Sequence, residues 1–151
     1  MPKKPTADDA RLILKLYDLR REAEIRKARS WIGGQFWPEN IDDYNKIASN
    51  PSAQENAWLR QVMGYWEMSA SLVNHGALSA DLFLEPSFSA EMFMIYSKMR
   101  PFLKELREKS SPTFLANVEK LVNSTKKARE FQARMEKNLA NRRKAMAAKS
   151  N

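Results

Sequence analysis

The chain has 151 residues, 43% of them apolar and 29% charged, which is enough for one domain with a core of its own. It holds no cysteine and one histidine, which excludes disulfides, thiol nucleophiles and zinc sites of ordinary ligand composition. Its formal charge of +8 is unevenly placed, because residues 126–151 carry nine basic side chains against two acidic ones and residues 1–125 are nearly neutral.

Lys3 and Lys4 lead into Thr6-Ala7-Asp8-Asp9 and not into an apolar signal core, and no run of about 18 apolar residues occurs. With the missing cysteines, this leads us to expect a cytoplasmic protein. Four glycines and eight methionines point to helices around an adaptable core.

The first helix is expected over residues 7–30. Thr6 is its N-cap, and Asp8 and Asp9 lie in the first turn, where the helix dipole favours negative charge. Leu12, Ile13, Leu16, Tyr17, Leu19 and Ala23 recur at helical spacing on one face. Gly33-Gly34 ends this element and Trp37-Pro38 prevents an immediate restart. The aromatics around the double glycine, Trp31, Phe36 and Trp37, either cover the end of the bundle or form an exposed anchor for a partner. A short helix follows over residues 41–49, capped by Asn40, with Tyr44, Ile47 and Ala48 inward.

After Asn50-Pro51, the run Ser52-Ala53-Gln54-Glu55 matches a capping box. The helix over residues 53–75 is the most apolar. Trp58, Leu59, Val62, Met63, Tyr65, Trp66, Ala70, Leu72 and Val73 cover about half of its circumference, as expected of a central helix with two or more neighbours. Gly76 is its stop. Ser79 caps a short turn that Pro86 closes, and Ser89 starts a helix with Met92, Ile95, Tyr96, Met99, Phe102, Leu103 and Leu106 on one face. Pro101 should break that helix near Arg100.

Ser111 as N-cap and Pro112 at the first helical position then open a final helix with no Gly or Pro in it. Phe114, Val118, Leu121, Thr125, Ala128, Gln132, Met135, Leu139, Arg142 and Met146 alternate by four and three, a seam of coiled-coil type. Two readings compete. In one, residues 114–128 pack on the bundle and the remainder is a solvated basic helix. In the other, residues 128–146 make a second contact, with the first helix or with another copy.

The chemistry of catalysis is sparse. There is no P-loop, no Gly-x-Gly-x-x-Gly, no Gly-x-Ser-x-Gly and no Glu-x-x-His pair. His75 lies at the end of the central helix, where an imidazole complements the dipole. Glu67 sits at the rim of the apolar arc. It reads as a partner for the basic flank of Arg100, Lys104 and Arg107, or as a partly desolvated carboxylate poised for proton transfer. No cofactor or metal is implied.

The pattern of Leu59, Trp66-Glu67, Gly76-Ala77-Leu78, Asp81-Leu82, Tyr96, Arg100-Pro101-Phe102, Arg107, Phe114, Val118 and Leu121 resembles an uncharacterised bacterial family of small all-helical proteins, known only as a domain of unknown function. The resemblance spans roughly residues 10–125. It implies an all-helical bundle and brings no catalytic residues with it.

The sequence therefore predicts an all-α protein: an antiparallel bundle of four to five main helices with shorter ones, residues 1–125, and a basic helical extension, residues 126–151. The expected role is a non-enzymatic interaction or scaffold protein, with self-association through the seam. Lys126, Lys127, Arg129, Arg134, Lys137, Arg142, Arg143 and Lys144 are the candidate partner-binding residues, and Glu67, Arg100 and Arg107 the candidate buried-rim polar ones. Two alternatives stand beside it. One is salt-sensitive nucleic-acid binding through the basic helix. The other is docking on an anionic membrane through Phe131, Met135, Leu139 and Met146.

Overall fold

The computed structural model describes residues 3–151, and among them the chain is an all-α bundle without strands. The helices are α1 (Ala7–Leu19), α2 (Ala23–Gly34), α3 (Ile41–Ala48), α4 (Gln54–Asn74), α5 (Ala80–Phe83), α6 (Pro86–Met99), α7 (Leu103–Lys109), α8 (Ala116–Val122) and α9 (Lys126–Lys149), with a 3-10 turn at Arg100–Phe102.

The apolar arc of α4 packs against α2 on one side and α8 on the other, while α6 carries α9. Trp66 is fully buried at the centre. Its ring meets Tyr65, Phe83 and Phe88 edge-on at centroid distances of 5.0, 6.1 and 5.7 Å, the arrangement that aromatic quadrupoles prefer. Trp31 and Phe36 are buried too, 5.2 Å apart, and Trp31 lies 6.1 Å from Trp58. These aromatics cover the body, as the first of the two readings had it.

Several elements are cut differently from the sequence expectation. The first helix does not run through to residue 30; it stops at Leu19 and restarts at Ala23. The reason is local: the Glu22 carboxylate accepts the amides of Glu24 and Ile25, offering a new N-terminus, while Arg21 N–H turns back to the Asp18 carbonyl. Of the six residues placed on its inner face only Leu16 is buried. The capping box before α4 does not form. Ala53 occupies the cap position without a side-chain hydrogen bond, because the Asn50–Ala53 turn places Ser52 one residue too early.

Pro86 does not close the preceding turn but stands at the start of α6, where its missing N–H costs nothing, and Ser89 lies inside that helix with its hydroxyl on the Glu85 carbonyl. Pro101 does break the chain as expected, with the 3-10 turn. The final helix is two helices. Ser111 and Pro112 lie in a turn that ends at Leu115, whose φ of 52° is left-handed, and α8 starts only after it. Thr125 is not a seam position within a continuous helix; its hydroxyl accepts the Ala128 amide and begins α9.

Trp66 is both the largest fully buried side chain and a donor to the half-buried Glu91 carboxylate, so Trp66→Ala should cost roughly 3–5 kcal/mol of stability, read as a lower urea midpoint. A midpoint within experimental error of the wild type would remove Trp66 from the centre of the core.

Candidate functional site

The basic C-terminal helix does not project from the body; α9 lies along α6. Ala128, Gln132 and Leu139 are buried, and Phe131 meets Phe93 edge-on at 4.7 Å. Gln132 donates to the Ser97 hydroxyl at 2.6 Å, so this polar seam position holds the two helices in register. Arg100 pairs with Glu136 at 2.6 Å and Arg143 donates to the Pro38 carbonyl at 2.9 Å. From Ala128 to Leu139 the seam thus meets α6 and not the first helix, while its last two positions, Arg142 and Met146, are exposed; of the face expected to meet lipid, Phe131, Met135 and Leu139 are wholly or partly buried.

Beneath α9 sits a feature that the sequence reading missed. Lys98 on α6 is 1% exposed, and its Nζ donates to the carbonyls of Ile32 at 2.6 Å, Phe36 at 2.8 Å and Gly33 at 3.4 Å. Those oxygens belong to the last turn of α2 and the residues after it, where carbonyls lack helical partners and the dipole is negative. The ammonium also lies 3.9 Å from the Trp37 ring centroid, and Arg142 and Arg143 approach the same ring at 5.3 and 5.5 Å. Burial first, then Arg142 and Arg143, pull the Lys98 ammonium down to about 7. One signal was available: Ile95 and Phe102, three before and four after Lys98, are both core residues.

A second polar group crosses α4 and α6. Glu91 accepts Trp66 Nε1 at 2.8 Å with one oxygen and Arg29 Nε at 2.8 Å with the other. Buried Arg20 donates to the Phe88 carbonyl at 2.9 Å and stacks on Tyr17 and Phe88, each 4.8 Å from its guanidinium carbon. Asp9 accepts the amides of Thr6 and Ser79 at 2.8 and 2.9 Å. These two amides and the Thr6 hydroxyl hold its carboxyl below the usual carboxylate range.

Glu67 does not pair with the basic flank expected of it. Its carboxylate accepts the backbone amides of Asn117 at 2.9 Å and Val118 at 3.0 Å, together with the Asn117 side-chain amide. It therefore caps α8 from a distance and meets none of Arg100, Lys104 and Arg107. Arg107 instead bonds Glu119 at 3.0 Å and the Phe114 carbonyl. His75 closes α4 with its own ring on the Ser71 carbonyl at 2.8 Å, the terminal role expected of it. No group of three or more potential metal ligands is found among the described residues.

The candidate binding cations divide into two sets. Arg142 and Arg143 are drawn to Trp37, Arg129 donates to the Asn123 carbonyl, Arg134 lies 5.6 Å from the Phe131 ring, and Lys127 faces Glu85 at 3.7 Å. Lys126, Lys137 and Lys144 are exposed, Lys126 with Glu130 at 3.9 Å. At about 100° per residue these three fall within about 20° of one another and roughly 150° from Leu139. They form the outer stripe of α9.

Fold and site together define a cysteine-free helical bundle held by buried caps. The family model for a domain of unknown function, DUF4760, matches residues 5–125, and the chain belongs to that uncharacterised family. The matched segment ends at the residue that caps α9. Comparison with curated proteins and with solved structures gives no match.

The folded-state value of Lys98 lies below the ordinary lysine value of about 10.4. Between about pH 7 and 10 the unfolded chain therefore holds the extra proton, and this group makes stability rise with pH across that window. Urea unfolding should show the rise, and Lys98→Met should flatten it. An identical slope in the variant would show that Lys98 keeps an ordinary affinity for its proton.

Proposed function

We propose that this protein is a non-enzymatic helical interaction module acting in the cytoplasm, and that the outer side of α1 is its contact surface. One observation carries the reading. Six large apolar side chains are strongly exposed among the described residues, and four of them, Leu12 (38%), Leu14 (67%), Tyr17 (47%) and Leu19 (46%), sit on this one helix of 13 residues. Single exposed leucines are normal on a protein surface, but four on one short helix exceed that background. Leu16 is the only apolar side chain that α1 buries. This reading does not draw on the α9 seam, whose buried positions are already occupied by α6.

A photocrosslinking amino acid placed at Leu14 should yield discrete adducts in living bacterial cells, while the same group at exposed Ala133 on α9 should yield few. Equal labelling from both positions would refute α1 as the contact surface.

A second reading, electrostatic binding of nucleic acid, is favoured by the outer stripe of Lys126, Lys137 and Lys144 on the basic extension, residues 126–151. Phosphate neutralisation predicts affinity that falls steeply with salt and ignores base sequence. Lys137→Glu with Lys144→Glu should then weaken binding to a generic duplex by roughly tenfold in a low-salt gel shift, as expected for losing two phosphate contacts. A duplex that the wild-type chain fails to shift at low salt ends this reading.

A further inference from the structure

We infer that the cleft between α9, the end of α6 and the loop after Phe36 binds a small organic phosphate, held by Arg142 and Arg143 beside the buried Lys98. The site lies apart from α1 and does not draw on the reading of that helix as a contact surface.

The cleft has a volume of about 380 Å³, and its charged lining residues are Lys98, Arg100, Arg143, Glu39 and Glu136. Arg100 and Glu136 neutralise one another at 2.6 Å. Lys98 and Arg143 are then opposed only by the exposed Glu39. Arg142 adds a third cation, since it approaches the same Trp37 ring as the other two. None of the three forms an ion pair among the described residues. Three cations against one carboxylate leave an excess of two positive charges.

The carbonyls of Ile32, Gly33 and Phe36 take the Lys98 N–H groups, but a helix end offsets only about half an elementary charge. The remaining field leaves a trace on Lys98, because Arg142 and Arg143, after burial, help to draw its ammonium down to about 7.

Donors for an anion are at hand. Arg143 gives Nη2 to the Pro38 carbonyl and makes no other hydrogen bond among the described residues, and Arg142 makes none. Guanidinium forks match phosphate oxygens two at a time. A doubly charged phosphate answers the whole excess, where a carboxylate would answer half of it. A bare ion would leave much of the cleft unfilled, and Pro38, Pro101 and Leu139 supply apolar wall for an organic group.

The test is isothermal titration of the full chain with phenyl phosphate, inorganic phosphate and benzoate. Phenyl phosphate should bind most tightly and benzoate roughly tenfold more weakly or worse. At about pH 8 the Lys98 amine is mostly neutral, and a bound dianion should restore its proton. The binding heat should therefore vary with the ionisation enthalpy of the buffer, and Lys98→Met should abolish that variation. Arg142→Gln with Arg143→Gln should weaken phenyl phosphate roughly tenfold or more. Lys137→Glu with Lys144→Glu, on the outer stripe of α9, should change neither affinity nor proton uptake. The arginine pair is exposed or half-buried, so it decides the question if circular dichroism shows Lys98→Met to be unfolded.

Absence of phenyl phosphate binding overturns the inference, as does equal affinity for benzoate or binding that the arginine variant leaves intact. Proton uptake that persists in a folded Lys98→Met also overturns it. A generic duplex that binds where phenyl phosphate does not overturns it in favour of the nucleic-acid reading.

Discussion

Cutting a chain of this length into many helices multiplies helix ends, and every end turned inward carries backbone groups that lack a helical partner. Side chains from the two central helices meet that demand. Glu67 on α4 takes the first amides of α8, Asn56 on α4 donates to the last carbonyls of α3, and Lys98 on α6 closes α2. In each case the charge or dipole of the capping group opposes that of the helix end. The three caps hold short helices in orientation where apolar packing alone would leave them free to slide. The apolar layer around Trp66 supplies cohesion, and the caps supply uniqueness.

This arrangement gives the basic helix its place. Lys98 lies 3.9 Å from the Trp37 ring, and Arg142 and Arg143 of α9 approach the same ring at 5.3 and 5.5 Å. Arg143 then reaches Pro38, while Gln132, Phe131 and Leu139 settle on α6. A helix carrying most of the net charge can lie flat because its cations are sorted. Those near Trp37 meet π-density and carbonyls, and the rest face water. The outer stripe of α9 and the apolar flank of α1 are thus separate surfaces with different chemistry, and a role assigned to one does not extend to the other.

Much of the helical punctuation was legible from single residues. Thr6, Asn40 and Ser79 cap as their side chains suggest, Gly76 adopts a φ of 78° at the end of α4, and Pro101 breaks the chain. The failures have different causes. The break before α2 is local, since Glu22 caps the amides of Glu24 and Ile25, whereas the start of α8 is held by Glu67 reaching across from α4. Local propensity is silent about a cap that arrives from fifty residues away.

Composition and periodicity by themselves determined that this chain is helical, that its fourth helix is central, and that its charge is gathered at one end, because these follow from spacing along a single helix. Only the tertiary structure decided which faces remain free. Met135 and Leu139 read as an exposed apolar face until α6 lies against them, and Leu12, Tyr17 and Leu19 read as core although they stay exposed. The physical reason is that a hydrophobic stripe marks surface that is costly to leave in water, without specifying what covers it.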